Sequence, residues 1–119
     1  MLSSIDHIII AVKDLDEAEK NYEKILGIPP VWKGEHEQLG TRNVVFNFTN
    51  IYLELINPDS NGPGSKIIKN HLKEKAEGLI GMVYGSKDIN QIRAELIKSN
   101  FYAEDISDGE DINLSTNEK

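Results

Sequence analysis

Apolar positions crowd the start of the chain, from Ile5 through Val12. In an extended backbone Ile8, Ile10 and Val12 point to one face, and Ile5, His7, Ile9 and Ala11 to the other. Both faces are apolar and rich in β-branched residues, which predicts a central strand over residues 5–13, covered on each side. Asp14 then caps a helix, with Glu17 three places on as in a capping box. Leu15, Ala18, Tyr22, Ile25 and Leu26 form its apolar stripe, while Glu19, Lys20, Glu23 and Lys24 face water. Gly27 stops the helix, and Pro29 and Pro30 forbid its continuation.

Alternation returns after the prolines. Val31 to Glu37 reads as a weak strand with a charged end, in which Trp32 is core or cavity wall. Gly40-Thr41-Arg42-Asn43 reads as a turn leading into a strand over Val44 to Phe48. Thr49-Asn50 is a tight connection, and Ile51 to Ile56 is the next strand, with Tyr52, Glu54 and Ile56 on one face. Asn57 to Gly64 is the clearest linker. Ser65 is expected to cap a short helix to Ala76 with Ile67, Ile68, Leu72 and Ala76 inward, ended by Gly78. Leu79 to Ser86 reads as a strand. Asp88, with Gln91 three places on, caps a further helix with Ile89, Ile92, Leu96 and Ile97 buried. Phe101 to Ile106 is expected to form one more strand. The acidic tail from Ser107 to Lys119 is either disordered or an edge strand through Ile112 and Leu114.

A shift of 74 positions lays Asp88 on Asp14, Ile92 on Ala18 and Leu96 on Tyr22. The strand and capped helix thus occur twice, as two modules sharing one core. We expect a first module over residues 1–57, a linker with a short helix over 58–78, and a partial second module over 79–119. The second module has fewer strands than the first, which leaves an unpaired sheet edge. Such an edge favours association, so a homodimer or strand-exchanged oligomer is expected.

Composition narrows the function classes. Net charge is −7 and the chain has no basic cluster, which argues against nucleic acid. There is no cysteine, so disulfides, thiolate metal sites and cysteine nucleophiles are excluded. The apolar run from Ile8 to Val12 is too short to span a bilayer, and no membrane is expected. The cytoplasm is the expected compartment.

Two side chains stand out against their surroundings. Glu54 sits among Tyr52, Leu53, Leu55 and Ile56, where an unpaired carboxylate is costly to bury. It either reaches solvent or makes a structural hydrogen bond, or it is a metal ligand or general base. His7 interrupts an apolar strand and is either a packed core group or a ligand. If both face one cavity, imidazole and carboxylate are ligand types that divalent first-row metals use. His36 lies between Glu35 and Glu37, and His71 reads as surface. Arg42 either holds a substrate anion bidentately or pairs with Glu35 or Glu37.

Ile5-Asp6-His7 leading to Val12-Lys13-Asp14-Leu15, Leu26-Gly27, and Tyr52-Leu53-Glu54-Leu55 together resemble the vicinal oxygen chelate superfamily. His36 followed by Gly40-Thr41-Arg42-Asn43 is similar to its glyoxalase-like domain group. The resemblance implies an α+β fold of glyoxalase type, a βαβββ module with a curled mixed sheet and outer helices. It also implies a cavity in which histidine and glutamate hold a divalent metal that binds substrate oxygens. Members include glyoxalases, extradiol dioxygenases, epimerases and antibiotic-resistance proteins, some of which bind ligand without metal or catalysis. His7 matches the first-strand ligand and Glu54 the ligand late in the first module. In the second module the position matching His7 is Gly81, and the final-strand ligand would lie beyond Lys119.

The expectation is therefore a protein acting on a small oxygen-rich molecule, with zinc, nickel, manganese or iron on His7 and Glu54. Glu54 would move a proton, and His36, Thr41, Arg42, Asn43 and Tyr52 would surround the substrate. If it is an enzyme, it is a metal-dependent lyase, isomerase or dioxygenase. The alternatives are a non-catalytic binding module and an inactive portion of a larger two-module protein.

Overall fold

The computed structural model describes residues 2–106 and the backbone at 112–113. Nine elements follow in order: β1 (Ser4–Ala11), α1 (Leu15–Leu26), β2 (Trp32–His36), β3 (Thr41–Asn47), β4 (Tyr52–Pro58), α2 (Pro63–Lys75), β5 (Gly78–Gly85), α3 (Ile89–Lys98) and β6 (Ile112–Asn113). The strands form one mixed sheet in the order β5-β1-β4-β3-β2-β6. β1 pairs with β4 in parallel and with β5 antiparallel, which makes it an interior strand. This is the α+β, glyoxalase-type arrangement expected from the sequence.

Of the three expected caps, those at Asp14 and Asp88 form. Asp14 accepts from the Glu17 N–H at 3.1 Å, and Asp88 from the Gln91 N–H at 3.2 Å. Gly27 closes α1 with φ +71°, and its N–H donates to the Glu23 carbonyl. One sheet face carries Val44, Phe46, Leu53 and Leu55, and α1 lays Leu15 and Ala18 against them to make the main core. Ile25 does not join it and is exposed. It sits roughly 80° around the helix from Leu15, beyond the contact with the sheet. Glu19 is also not wholly solvated, since its carboxylate meets the Lys33 ammonium at 2.7 Å.

Several boundaries differ from the sequence reading. β1 ends at Ala11, before Val12 and Lys13. Thr41, Arg42 and Asn43 lie inside β3, because the reversal is made earlier, at residues 37–40, where Gly40 takes φ +73°. β2 then runs antiparallel beside them. Asn57 and Pro58 extend β4 and are not linker. α2 begins at Pro63, with Gly62 as its N-cap, and Ser65 lies inside the helix with its N–H donated to the Leu39 carbonyl. The helix ends at Lys75, so Ala76 is exposed beyond it, and Ile67 is exposed as well. On α3 only Ile92 is buried, while Ile89 and Ile97 face outward, because nothing among the described residues covers that side.

Phe101 to Ile106 form no strand. Arg93 of α3 holds this segment, donating from Nε to the Glu104 carbonyl at 2.9 Å and from Nη2 to Asp105 at 3.0 Å. Backbone tied to a helix in this way is not available to a sheet edge. The tail instead contributes β6, which pairs with β2 through Gly34 and Asn113, and Glu35 and Ile112. The remainder of the tail, including Leu114, lies outside the described residues.

The sheet face opposite α1 positions the site. Strand register puts His7 and Ile9, Tyr52 and Glu54, Asn43 and Val45, and Trp32 and His36 on this one face. α2 lies against its far end. There Gly64 packs so close to Thr41 that a Cβ would stand 3.2 Å from Cγ2 and 2.9 Å from Leu39 Cβ.

Candidate functional site

Four strands supply the walls of a hollow of about 440 Å³ on that face, lined by Asp6, His7, Val31, Trp32, His36, Asn43, Val45, Tyr52 and Glu54. Glu54 lies at its floor and is 7 % exposed. A buried carboxylate needs partners on its oxygens. One oxygen accepts from Asn43 Nδ2 at 2.8 Å, and the other stands 3.0 Å from His7 Nε2. Asn43 in turn accepts from the Trp32 indole N–H at 3.2 Å. His7 meets Asp6 through Nδ1 at 2.8 Å. The result is one chain of polar contacts from Trp32 through Asn43, Glu54 and His7 to Asp6.

Both nitrogens of His7 therefore face carboxylate oxygens. A ring protonated on both donates to Asp6 and Glu54 together, whereas a neutral ring donates to one. Glu54 is in this way a carboxylate held by two partners, with the His7 ring nitrogen 3.0 Å from one of its oxygens.

The structure brings together His7, His36, Asn43, Tyr52 and Glu54 around one hollow. Thr41 and Arg42 do not line it. Thr41 is buried beneath the start of α2. Arg42 belongs to the opposite face of β3, across the ladder from Glu35 and Asn57. Three wall residues were not anticipated as site groups: Asp6, Val31 and Val45. Strict alternation would turn Asp6 away from His7, but β1 and β5 shift register between Ile5 and His7, and this irregularity lets both neighbours reach the same hollow. Trp32 proves to be cavity wall, with Val45 opposite it in the ladder.

His7 and Glu54 point at each other, and Asp6 reaches the far nitrogen of the same ring. No group of three His, Cys, Asp or Glu side chains suited to a metal forms among the described residues. The position that would repeat His7 is Gly81, which faces Ile9 across β1 and β5 and brings no ligand.

The glyoxalase-like domain family matches residues 5–115. The chain belongs to this family. Solved structures place it in the vicinal oxygen chelate superfamily. A methylmalonyl-CoA epimerase from Streptomyces coelicolor is similar at 25 % identity, with a TM-score of 0.73, 84 % of this chain and 74 % of that one covered. The methylmalonyl-CoA epimerase of Mycobacterium tuberculosis aligns at 23 % identity with a TM-score of 0.74, over 83 % of this chain and 65 % of that one. A hypothetical protein from Bacillus halodurans aligns at 24 % identity with a TM-score of 0.70, over 81 % and 67 %. The latter two establish the glyoxalase-like fold. Comparison with curated proteins returns no match. No helix among the described residues is long and apolar enough to cross a membrane.

Proposed function

We propose that this glyoxalase-like hollow binds a small, oxygen-rich acyl compound, and that Glu54 exchanges a proton with the carbon beside its carbonyl. The observation carrying this reading is the carboxylate of Glu54, buried at the floor of an open hollow and held by Asn43 and His7. A base fixed in place before substrate arrives needs no reorganisation during the reaction. In the step, the C–H bond breaks, the proton passes to Glu54, and the electron pair moves onto the carbonyl oxygen. Return of a proton to the same carbon completes the exchange. Trp32 and Val45 offer apolar wall for the acyl group, and His36 and Tyr52 offer polar atoms to its oxygens. The ligand class is supported by the Streptomyces coelicolor relative, which is seen in complex with 2-nitronate-propionyl-CoA.

A divalent cation, whether zinc, nickel, manganese or iron, would polarise the carbonyl, and His7 and Glu54 are the side chains that would hold it. Two protein ligands fall short of the three or four that such sites use. The proton step above uses only Glu54 and its partners. A second reading, a binding module without catalysis, is favoured by the fact that both Glu54 oxygens already have a partner.

The test is exchange of the α-proton of 2-substituted acyl thioesters and 2-keto acids in heavy water, followed by NMR, beside binding followed through Trp32 fluorescence. Exchange lost in Glu54→Gln with binding kept supports the base. Binding without exchange in the unmodified protein selects the binding module, and no binding overturns both. Metal analysis of protein purified without chelator runs alongside. A stoichiometric cation lost in both His7→Ala and Glu54→Gln assigns metal to the pair.

A further inference from the structure

We propose that the start of α2 binds a phosphate group, free or as the monoester of a larger ligand, between Ser65, Lys66 and Lys69. A second hollow of about 330 Å³ lies there, lined by Asn61, Gly62, Ser65, Lys66, Lys69 and Asn70. It shares no residue with the hollow above Glu54, so it stands or falls separately from the proposed proton transfer.

The observation that points to a ligand is the Ser65 hydroxyl. Ser65 is 1 % exposed, and its Oγ has no hydrogen-bond partner among the described residues. Buried hydroxyls are ordinarily paired, and this one belongs to a residue that lines the hollow. A ligand oxygen there would accept its proton. The neighbouring side chains select which kind of oxygen. Helical spacing sets Lys66, Lys69 and Asn70 on the same side of α2 as Ser65. Neither ammonium forms an ion pair with a described residue. Asn61 and Asn70 add amide N–H donors, and no carboxylate lines the hollow. One hydroxyl, two amides and two cations suit a compact anion with several acceptor oxygens. The hollow above Glu54 carries Asp6 and Glu54 and would repel the same anion.

Charge and backbone agree with this assignment. α2 carries four lysines and one glutamate in a chain whose net charge is −7, and its first turn has no acidic residue. The positive end of the helix dipole adds to the attraction. The backbone of that turn is spent elsewhere: Pro63 has no N–H, and the Ser65 N–H donates to the Leu39 carbonyl at 2.8 Å. Side chains, rather than the helix end itself, would therefore hold the phosphate. The same bond to Leu39 fixes the turn against the loop before β3. Gly62 lies so close to that loop that a Cβ would stand 2.5 Å from the Leu39 carbonyl oxygen. The donors are thus in place before a ligand arrives, which lowers the cost of binding.

Amide-resolved NMR of the full chain, titrated with inorganic phosphate at an ionic strength fixed by sodium chloride, tests the site. Saturable shifts are expected over residues 61–70. Ser65→Ala removes the hydroxyl without adding bulk and should weaken phosphate binding roughly tenfold. The double variant Lys66→Gln, Lys69→Gln, which leaves the buried residue untouched, should weaken it by about the same factor. Phosphate should raise the melting temperature of the unmodified chain more than that of Ser65→Ala, whichever melts higher without it. Glycerol 3-phosphate separates the two sources. Binding tighter than inorganic phosphate assigns the group to an organic monoester, equal or weaker binding assigns free phosphate, and both uphold the site. Absence of saturable shifts at millimolar phosphate, shifts that chloride reproduces, saturation centred on His7 and Glu54, or undiminished binding in both variants would overturn the proposal.

Discussion

His7 Nε2 reaches Glu54 Oε1 at 3.0 Å although the two residues are not partners in the ladder. Register places His7 beside Tyr52, and Glu54 beside Ile9, so the contact runs diagonally across the parallel pair of β1 and β4. Such a contact couples the first strand to the fourth through side chains as well as backbone. Removing His7 leaves Glu54 buried with Asn43 alone. His7→Ala is expected to cost about 1–3 kcal/mol in urea denaturation, the penalty for a buried polar group that loses a partner. Glu54→Gln keeps an acceptor for Asn43 and a donor for His7, and should cost under about 1 kcal/mol. The double variant should be less destabilised than the sum by on the order of 1 kcal/mol. Additive losses would show that the two side chains do not interact in solution.

Asn43 bridges Trp32 to Glu54, accepting from one and donating to the other. Asn43→Asp keeps the acceptor for Trp32 but sets a second carboxylate where the amide stood, 2.8 Å from Glu54. Like charges that close in a buried site are expected to lower stability by several kcal/mol. Asn43→Ala only leaves groups unpaired and should cost about 1–3 kcal/mol. Trp32 is the single tryptophan of the chain, so its emission reports on this site alone. Asn43→Ala should red-shift that emission as the indole loses its fixed partner, while Asn43→Asp keeps the acceptor and should shift it less. An unchanged spectrum in Asn43→Ala would place Trp32 outside the polar chain.

Two glycines separate backbone strain from crowding. Gly27 has φ +71° with nothing within 4 Å of an added Cβ. Gly27→Ala should cost about 1–2 kcal/mol, the price of a left-handed L-residue. Gly40 has nearly the same φ, but a Cβ there would meet the Ser60 carbonyl oxygen at 2.6 Å and Asn61 backbone at 2.9 Å. Since those atoms belong to backbone, they yield only if the loop moves. Gly40→Ala should therefore lose clearly more than Gly27→Ala in melting temperature, and equal losses would mean that the loop before α2 gives way freely.

The sheet strands and both side-chain caps were legible because each rests on a local signal: alternation for β3 and β4, and an aspartate followed by a partner three places on for α1 and α3. His7 and Glu54 were legible as misfits, polar residues on apolar strands. What could not be read depends on distant packing. Arg42 and Asn43 look equally suited to a ligand in the sequence, yet one residue of strand separates the hollow from the opposite face. Asp6 enters the site only through a register shift against β5, some 78 positions away in sequence at Tyr84. Ile89 and Ile97 fit a buried stripe, but periodicity does not say whether anything arrives to cover it.

Thr41 and Ser65 carry the last prediction, and it distinguishes a binding hydroxyl from an orphaned one. Both residues are buried, 2 % and 1 % exposed, and neither hydroxyl oxygen has a hydrogen-bond partner among the described residues. A hydroxyl taken out of water without a partner is destabilising by about 1–3 kcal/mol. Thr41→Val exchanges the hydroxyl for a methyl of similar size, and Ser65→Ala removes it beneath an intact helix turn. Each is expected to hold or raise the melting temperature, by up to about 1 kcal/mol of stability. Because Thr41 sits under Gly64 and does not line the hollow, Thr41→Val should leave ligand binding unchanged. Loss of binding in Thr41→Val would instead mean that α2 lifts from β3 in the bound state and opens Thr41 to the ligand.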